Sequence, residues 1–356
     1  VDFLVARDDL HRVRTVSGEP PEPAPGQALL AVDAFGLTAN NITYAMFGHA
    51  MSYWNFFPAE EGWGRVPVWG FAEVIESRAD ALEPGVRVYG YLPPSSELLV
   101  RPARVDGRGF VDASEHRSGL PGAYNSYSRV DADPVYDAAH EDAQMLLRPL
   151  FFTSFLIDDL LSEAEFFGAA TVILSSASSK TANGLAFLLH ERGGVDVVGL
   201  TSARSVAFAR GLGVYDAVLG YEELDALPAG RAVYVDMSGD AAVREGVHHA
   251  YGEQLAHSAV VGATHHDRMG AVPDGLPGPR PTFFFAPDRV AKRSSEWGRE
   301  GLEQRLAGAW DGYVGWAEGW LTVEHGEGTE AVERVYLDLL DGKVEPATAH
   351  VLSLPR

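Results

Sequence analysis

The segment Thr171-Val172-Ile173-Leu174-Ser175 constrains this chain more than any other. It is apolar without alternation and runs into Ser176-Ala177-Ser178-Ser179-Lys180. A stretch follows in which Ala182, Leu185, Ala186 and Leu189 recur at helical spacing. A strand without alternation is buried on both faces, the condition of a parallel sheet covered by helices. Further apolar runs lie at 195–200, 217–219, 232–236, 258–262 and 282–286, and Val206, Ala209, Arg210 and Leu212 mark a short helix ending near Gly213. Strands alternating with helices in this way predict a doubly wound α/β domain.

Upstream the pattern is different. Pro- and Gly-rich turns separate short apolar runs at 27–34, 71–76 and 86–91, which predicts a compact β-rich barrel or sandwich. Residues 111–137 are polar and turn-rich and give no assignment; Ala123-Tyr124-Asn125-Ser126-Tyr127-Ser128-Arg129 reads first as a surface loop and second as a segment lining the site. Residues 142–161 predict one or two helices, with Pro149 separating them or opening the second. The tail predicts helices at 302–320 and 330–340 and a strand at 349–354 that rejoins the β-rich domain. A chain of 356 residues is long enough for two cores. The expected division is 1–137 completed by 290–356, with 138–289 between them.

Charge and composition exclude several functions. Fifty acidic against 28 basic residues give a net charge of −22, which repels phosphate backbones and anionic lipid, so no nucleic-acid or membrane partner is expected. An anionic cofactor therefore needs a local basic pocket. The absence of cysteine removes disulfides, thiolate nucleophiles and Cys-ligated zinc, and fits a reducing compartment. The first residues show no basic segment leading into a long apolar one, and the apolar stretch 145–161 is interrupted by Arg148, Pro149, Asp158 and Asp159. The expected location is cytoplasmic.

The turn after the first α/β strand is where a dinucleotide fold points backbone N–H groups at a pyrophosphate. G-x-G-x-x-G is missing, but Ser176, Ser178, Ser179 and Thr181 are small and hydroxylated, and Lys180 adds a cation. Taken alone, the segment is equally a Ser-rich helix start with a Ser or Thr cap; its place at the carboxyl end of the first strand favours an anion site. The second strand ends in Thr201-Ser202-Ala203-Arg204. An NAD site ordinarily carries an acid here, whereas hydroxyls and an arginine suit the 2′-phosphate of NADP(H).

These segments, with PGQALLAVDAFGLTANNITYAMFG at 25–48, Val66-Pro67-Val68-Trp69-Gly70-Phe71 and Pro84-Gly85-Val86-Arg87-Val88, resemble the medium-chain dehydrogenase/reductase superfamily. Within it, the nearest likeness is to the zinc-free quinone oxidoreductase and enoyl reductase branches. The resemblance implies a GroES-like catalytic domain split by a Rossmann domain, and the Ser-rich loop marks an atypical branch. It places Tyr221 beside the 2′-phosphate, Ser238, Gly262 and Thr264 at strand ends bordering the nicotinamide ribose, and Phe285 with the cofactor site. Zinc-dependent relatives carry Gly-His-Glu where this chain has Gly70-Phe71-Ala72.

Zinc-free hydride transfer needs an oxyanion site and a proton source. The resemblance puts Asn40, Asn41, Tyr44 and Tyr53 in the substrate cleft, with Tyr53 as first and Tyr44 as second candidate for the acid. The residues alone are also compatible with aromatic packing. Adjacent His265 and His266 cannot converge as paired helical ligands do, so no metal is expected. The function implied is an NADPH-dependent reductase of an activated C=C bond or a quinone-like carbonyl. A non-redox nucleotide-binding or lyase-type protein on the same fold, or a ketone reductase, is the alternative. The one macromolecular partner the resemblance offers is a second copy of the chain.

Overall fold

The computed structural model describes residues 1–261 and 275–355. The chain divides into two compact units, Val1–Leu146 with Leu321–Arg356, and Leu147–Trp320.

In the first unit, the strand Ala28–Leu37 is central. It pairs antiparallel with Val68–Ser77, with Glu97–Val100 and with Thr348–Ser353, so that Phe35 faces Gly70 and His350 faces Leu37. The returning strand is thus in place, as its sequence predicted. Thr322–Glu327 lies parallel to it, joined through the helix Thr329–Leu340, a βαβ element the sequence did not disclose. Beyond Val68–Ser77 the sheet continues through Arg87–Leu92, Ser126–Arg129, Gly109–Asp112 and Pro102–Asp106. Phe3, Val5, Leu30, Phe35, Ala72, Val88 and Tyr336 form the core between sheet and helix. Burying apolar surface at about 25 cal/mol per Å² makes such a cluster the main stabilising term.

The segment expected as a surface loop is structural. Tyr127 is 1% exposed, its ring stacks on Phe110 at 5.0 Å, and a Cβ on Gly90 would fall 2.5 Å from its ring. The glycine makes room for the ring. Polar neighbours hide this strand from a hydropathy reading.

In the second unit, the parallel sheet has the spatial order Ala217–Gly220, Asp196–Thr201, Thr171–Ser175, Ala232–Asp236, Leu255–Val260, Thr282–Phe283. In sequence terms this is 3-2-1-4-5-6, the doubly wound order, which reverses direction beside the first strand. The last strand is shorter than expected because a helix begins at Ala286 with proline in its first turn. That helix, Ala286–Ala317, bends at Gly298 (φ +73°) and belongs to the second unit rather than to the completion of the first. Arg289 and Arg293 tie it to Asp159 at 2.6 and 2.7 Å, and Tyr313 stacks on Phe151 at 4.3 Å. The boundary expected near 290 therefore stands at 321.

Glu141–Glu163 is a single helix with Pro149 inside it. Among the described residues no helix is long and apolar enough to cross a membrane.

Candidate functional site

The candidate residues fall into two groups, one in each unit. In the second unit the first strand ends at Ser175 and the chain turns through Ser176, which adopts a left-handed φ of +53°. A non-glycine residue in this region costs roughly 1–2 kcal/mol, so the turn is held by its surroundings. The Ser176 N–H donates to the Tyr221 hydroxyl at 3.1 Å, and the Ala177 N–H donates to Leu200 O at 2.9 Å. Tyr215 donates its hydroxyl hydrogen to Ala177 O at 3.0 Å. Gly199 lies so close that a Cβ there would sit 2.7 Å from the Ala177 methyl.

The turn delivers Ser179 as cap of the helix Lys180–Arg192, its Oγ accepting from Ala182 N at 3.3 Å. The cap, one of the two readings the sequence left open, is thus in place. Lys180 and Thr181 occupy the first turn, half-buried, at the positive end of the helix dipole. Desolvation lowers the Lys180 ammonium to about 8. Ser154 anchors the helix from below, donating to Thr181 O at 2.7 Å. Ser178 and Thr201 share a hydroxyl hydrogen bond of 3.2 Å, which brings the first and second strand ends together. Ser202 lies 3.3 Å from the Ser205 hydroxyl, and Arg204 is exposed on the same short turn.

Ser238 and Tyr221 both have partners within the protein. Ser238 is fully buried and donates to Asp236 Oδ1 at 2.8 Å. The same oxygen accepts from Ser175 Oγ and from the Ser238 and Gly239 N–H groups, while Arg244 reaches Asp236 Oδ2 at 3.1 Å. This fully hydrogen-bonded carboxylate fixes the fourth strand's end against the first. Sequence reasoning missed it, although an aspartate after an apolar run, followed by Ser and Gly, is its signal. Tyr221 holds the turn by accepting the Ser176 N–H at 3.1 Å. Phe285 precedes the helix Ala286–Ala317, half-buried, with its ring 6.3 Å from that of Phe283. Gly262, Thr264, His265, His266 and Asp267 lie outside the described residues. Among those described, no group of three or more His, Asp or Glu side chains is placed to hold a metal ion.

In the first unit, the helix Ala39–Met46 and the turn Tyr53–Asn55 bring Tyr44 and Tyr53 together, ring centroids 4.7 Å apart, with Tyr91, Tyr124, Phe56, Phe57 and Trp69 around them. Tyr44 accepts from Trp69 Nε1 at 3.4 Å and neighbours the Asn40 side chain. Asn41 is not part of this group. Its Oδ1 accepts from Thr38 N at 2.8 Å and its amide donates to Pro67 O at 2.8 Å, so the side chain fixes the start of the helix.

Beneath the tyrosines lies a buried ion pair, Arg117 Nε to Asp112 Oδ2 at 3.0 Å, with both side chains at most 1% exposed. Arg117 also donates to Tyr124 O at 3.3 Å and to the Tyr127 hydroxyl at 3.1 Å, and Tyr127 donates to Tyr91 O at 2.7 Å. One guanidinium thus sets the backbones of Tyr91 and Tyr124. Arg117 was not singled out from sequence, and Tyr124 only as part of a segment whose first reading was a surface loop.

The architecture is that of solved oxidoreductases. CurA from Vibrio vulnificus in complex with NADPH superposes with a TM-score of 0.66 at 13% identity, covering 97% of this chain and 94% of that one. The yhdH oxidoreductase from Salmonella enterica in complex with NADP gives 0.56 at 13% identity, covering 97% and 95%. A mutant enoyl thioester reductase from Candida tropicalis gives 0.60 at 12%, covering 99% and 98%. The fold is therefore that of the medium-chain dehydrogenase/reductase proteins, as the sequence motifs implied. No curated protein matches by sequence. One family profile, described as "Protein of unknown function (DUF2855)", matches residues 35–345, and the chain belongs to that family.

Proposed function

We propose that this chain is an NADPH-dependent reductase of an activated C=C bond or a quinone-like carbonyl, working without a bound metal. The observation that carries the reading is the serine turn itself. Ser176, Ser178, Ser179 and Lys180 lie where the sheet order reverses, with Thr201, Ser202 and Arg204 at the neighbouring strand end and no acid among them. The residues suit a dinucleotide: Gly199 and Ala177 keep the backbone close, the helix start supplies N–H groups, and Lys180 adds a cation beside the turn in a chain of net charge −22. The zinc ligands of metal-dependent relatives are replaced by Phe71 and Ala72.

NADPH would be held by Ser176 to Thr181 at the pyrophosphate and by Thr201, Ser202 and Arg204 at the 2′-phosphate, and it supplies the hydride. The tyrosine cluster supplies hydrogen-bond donors for charge collecting on a carbonyl oxygen. Fluorescence titration tests the cofactor half: NADPH binds well above NADH, and Arg204→Ala removes the preference. Equal affinities for the two cofactors in the unaltered protein refute it. Oxidation of NADPH across enones, quinones and ketones, with product analysis, tests the redox half.

A further inference from the structure

In a trans peptide the C=O and the N–H point in opposite directions. Whatever holds the Ala177 carbonyl therefore aims the Ser178 N–H. The holder is Tyr215, whose hydroxyl donates to Ala177 O at 3.0 Å from just before the strand Ala217–Gly220. The phenol has one hydrogen, and the buried Asn183 Oδ1 lies farther off, at 3.4 Å, so that hydrogen belongs to Ala177. Gly199 lets the ring in, since a Cβ there would sit 3.0 Å from it. Burial pushes the phenol well above its ordinary range, and it keeps its hydrogen at any working pH.

The neighbouring amides of the turn are satisfied inside the protein. Ser176 N–H donates to the Tyr221 hydroxyl, Ala177 N–H to Leu200 O at 2.9 Å, and Ser179 N–H to Ser176 O at 2.7 Å. The Ser178 N–H, on a half-buried residue, has no acceptor among the described residues. From Ser176 to Ser179 it is the one amide left for an outside oxygen, and backbone donors in such places are rarely left unpaired.

We propose that Tyr215 is a positioning residue: by fixing the Ala177 carbonyl it presets the Ser178 N–H to receive a pyrophosphate oxygen before the ligand arrives. The ligand half rests on the nucleotide-binding reading of the proposed function. The setting of the turn does not.

The test uses the whole chain. Without ligand, hydrogen exchange finds the Ala177 and Ser179 amides protected in the unaltered protein. In Tyr215→Phe they exchange several-fold faster, while an amide of the central strand, Ile173, keeps its rate. In calorimetric titration the variant binds NADPH and ADP roughly three- to tenfold more weakly, the range of one lost hydrogen bond, and 2′-AMP, which has no pyrophosphate, as before. Unprotected turn amides in the unaltered protein, exchange that rises everywhere alike, unchanged ADP affinity, or an equal loss for 2′-AMP overturns the proposal. Should Tyr215→Phe fail to fold, Tyr215→Leu, judged by the same outcomes, replaces it. NADPH binding with no change in the turn's exchange sinks the inference and leaves the reductase reading. The local change in exchange, with no binding of the three nucleotides by the unaltered protein, removes the nucleotide reading and leaves Tyr215 as the residue that sets the turn.

Discussion

The hydroxyl of Tyr221 accepts the backbone N–H of Ser176 at 3.1 Å, so a side chain from beyond the third strand caps a left-handed residue in the first turn. The bond is local in space and remote in sequence. Tyr221→Phe leaves that partly buried N–H without its partner, at a cost of about 1–3 kcal/mol. Urea unfolding measures it as a lowered midpoint with unchanged slope, and NADPH titration registers weaker binding as the turn loosens. A variant with the stability of the parent shows that the hydroxyl is not needed there.

Lys180 gives the proposed cofactor site a pH dependence whose sign is fixed. Its ammonium stands at about 8, below the free value of 10.5, because burial penalises the charge. Phosphate stabilises the charged form, so NADPH affinity holds below pH 8 and falls as pH rises through it. Stability of the cofactor-free protein runs the other way. Between pH 8 and 10.5 the unfolded chain binds the additional proton, so this group's contribution rises with pH. Lys180→Met flattens both profiles and weakens NADPH by about tenfold, the weight of one charge-assisted hydrogen bond. Calorimetric titration across pH 6.5–9.5, about the range over which such a group changes charge, checks it. A parallel fall in the variant places the titrating group elsewhere.

Gly199 is required for close approach rather than for its dihedral freedom. The Cβ of Gly199→Ala would lie 2.7 Å from the Ala177 methyl and 3.0 Å from the Tyr215 ring. Overpacking of this kind costs typically 1–3 kcal/mol. Because Ala177 is the second residue of the turn, NADPH affinity falls together with thermal stability. Loss of stability with full affinity shows that the turn does not contact the ligand.

Arg117 and Asp112 test whether the aromatic cluster depends on its ionic base. Arg117→Leu leaves a carboxylate in the interior without its cation, which costs about 3–5 kcal/mol. The readout is chemical unfolding followed by near-ultraviolet circular dichroism, because the signal of the packed tyrosines reports the cluster directly. A loss below about 1 kcal/mol, the usual value of an exposed pair, contradicts the buried geometry.

How much of this was legible depended on what each residue's neighbours share with it in sequence. Strands buried on both faces, such as Thr171–Ser175 and Ala232–Asp236, announce themselves as apolar runs, and from them followed the doubly wound sheet. The serine turn was legible by its place alone. Asn41 and Ser238 were taken for ligand-facing residues because a side chain that caps a helix or feeds a buried carboxylate has the same letters as one that greets a substrate. Arg117 was passed over, and Tyr124 read first as part of a surface loop, because their stretch is polar and full of turns, and only the fold shows that an aspartate at 112 neutralises the arginine. The helix Ala286–Ala317 was read short because its charged residues answer Asp159 and Glu163, far upstream, rather than solvent.

The pairing of His350 with Leu37 joins the two ends of the sequence within one sheet, whereas residues 147–320 are contiguous. On the ribosome, the middle of this polypeptide has all its own partners while the amino-terminal portion still lacks a neighbour for Ala28–Leu37. Synthesis therefore leaves the Phe35–Leu37 edge open until Thr348–Ser353, roughly 300 residues further along, has emerged. Chaperone demand should concentrate on that exposed edge, and a stall before its closing strand emerges should be the event most prone to misassembly.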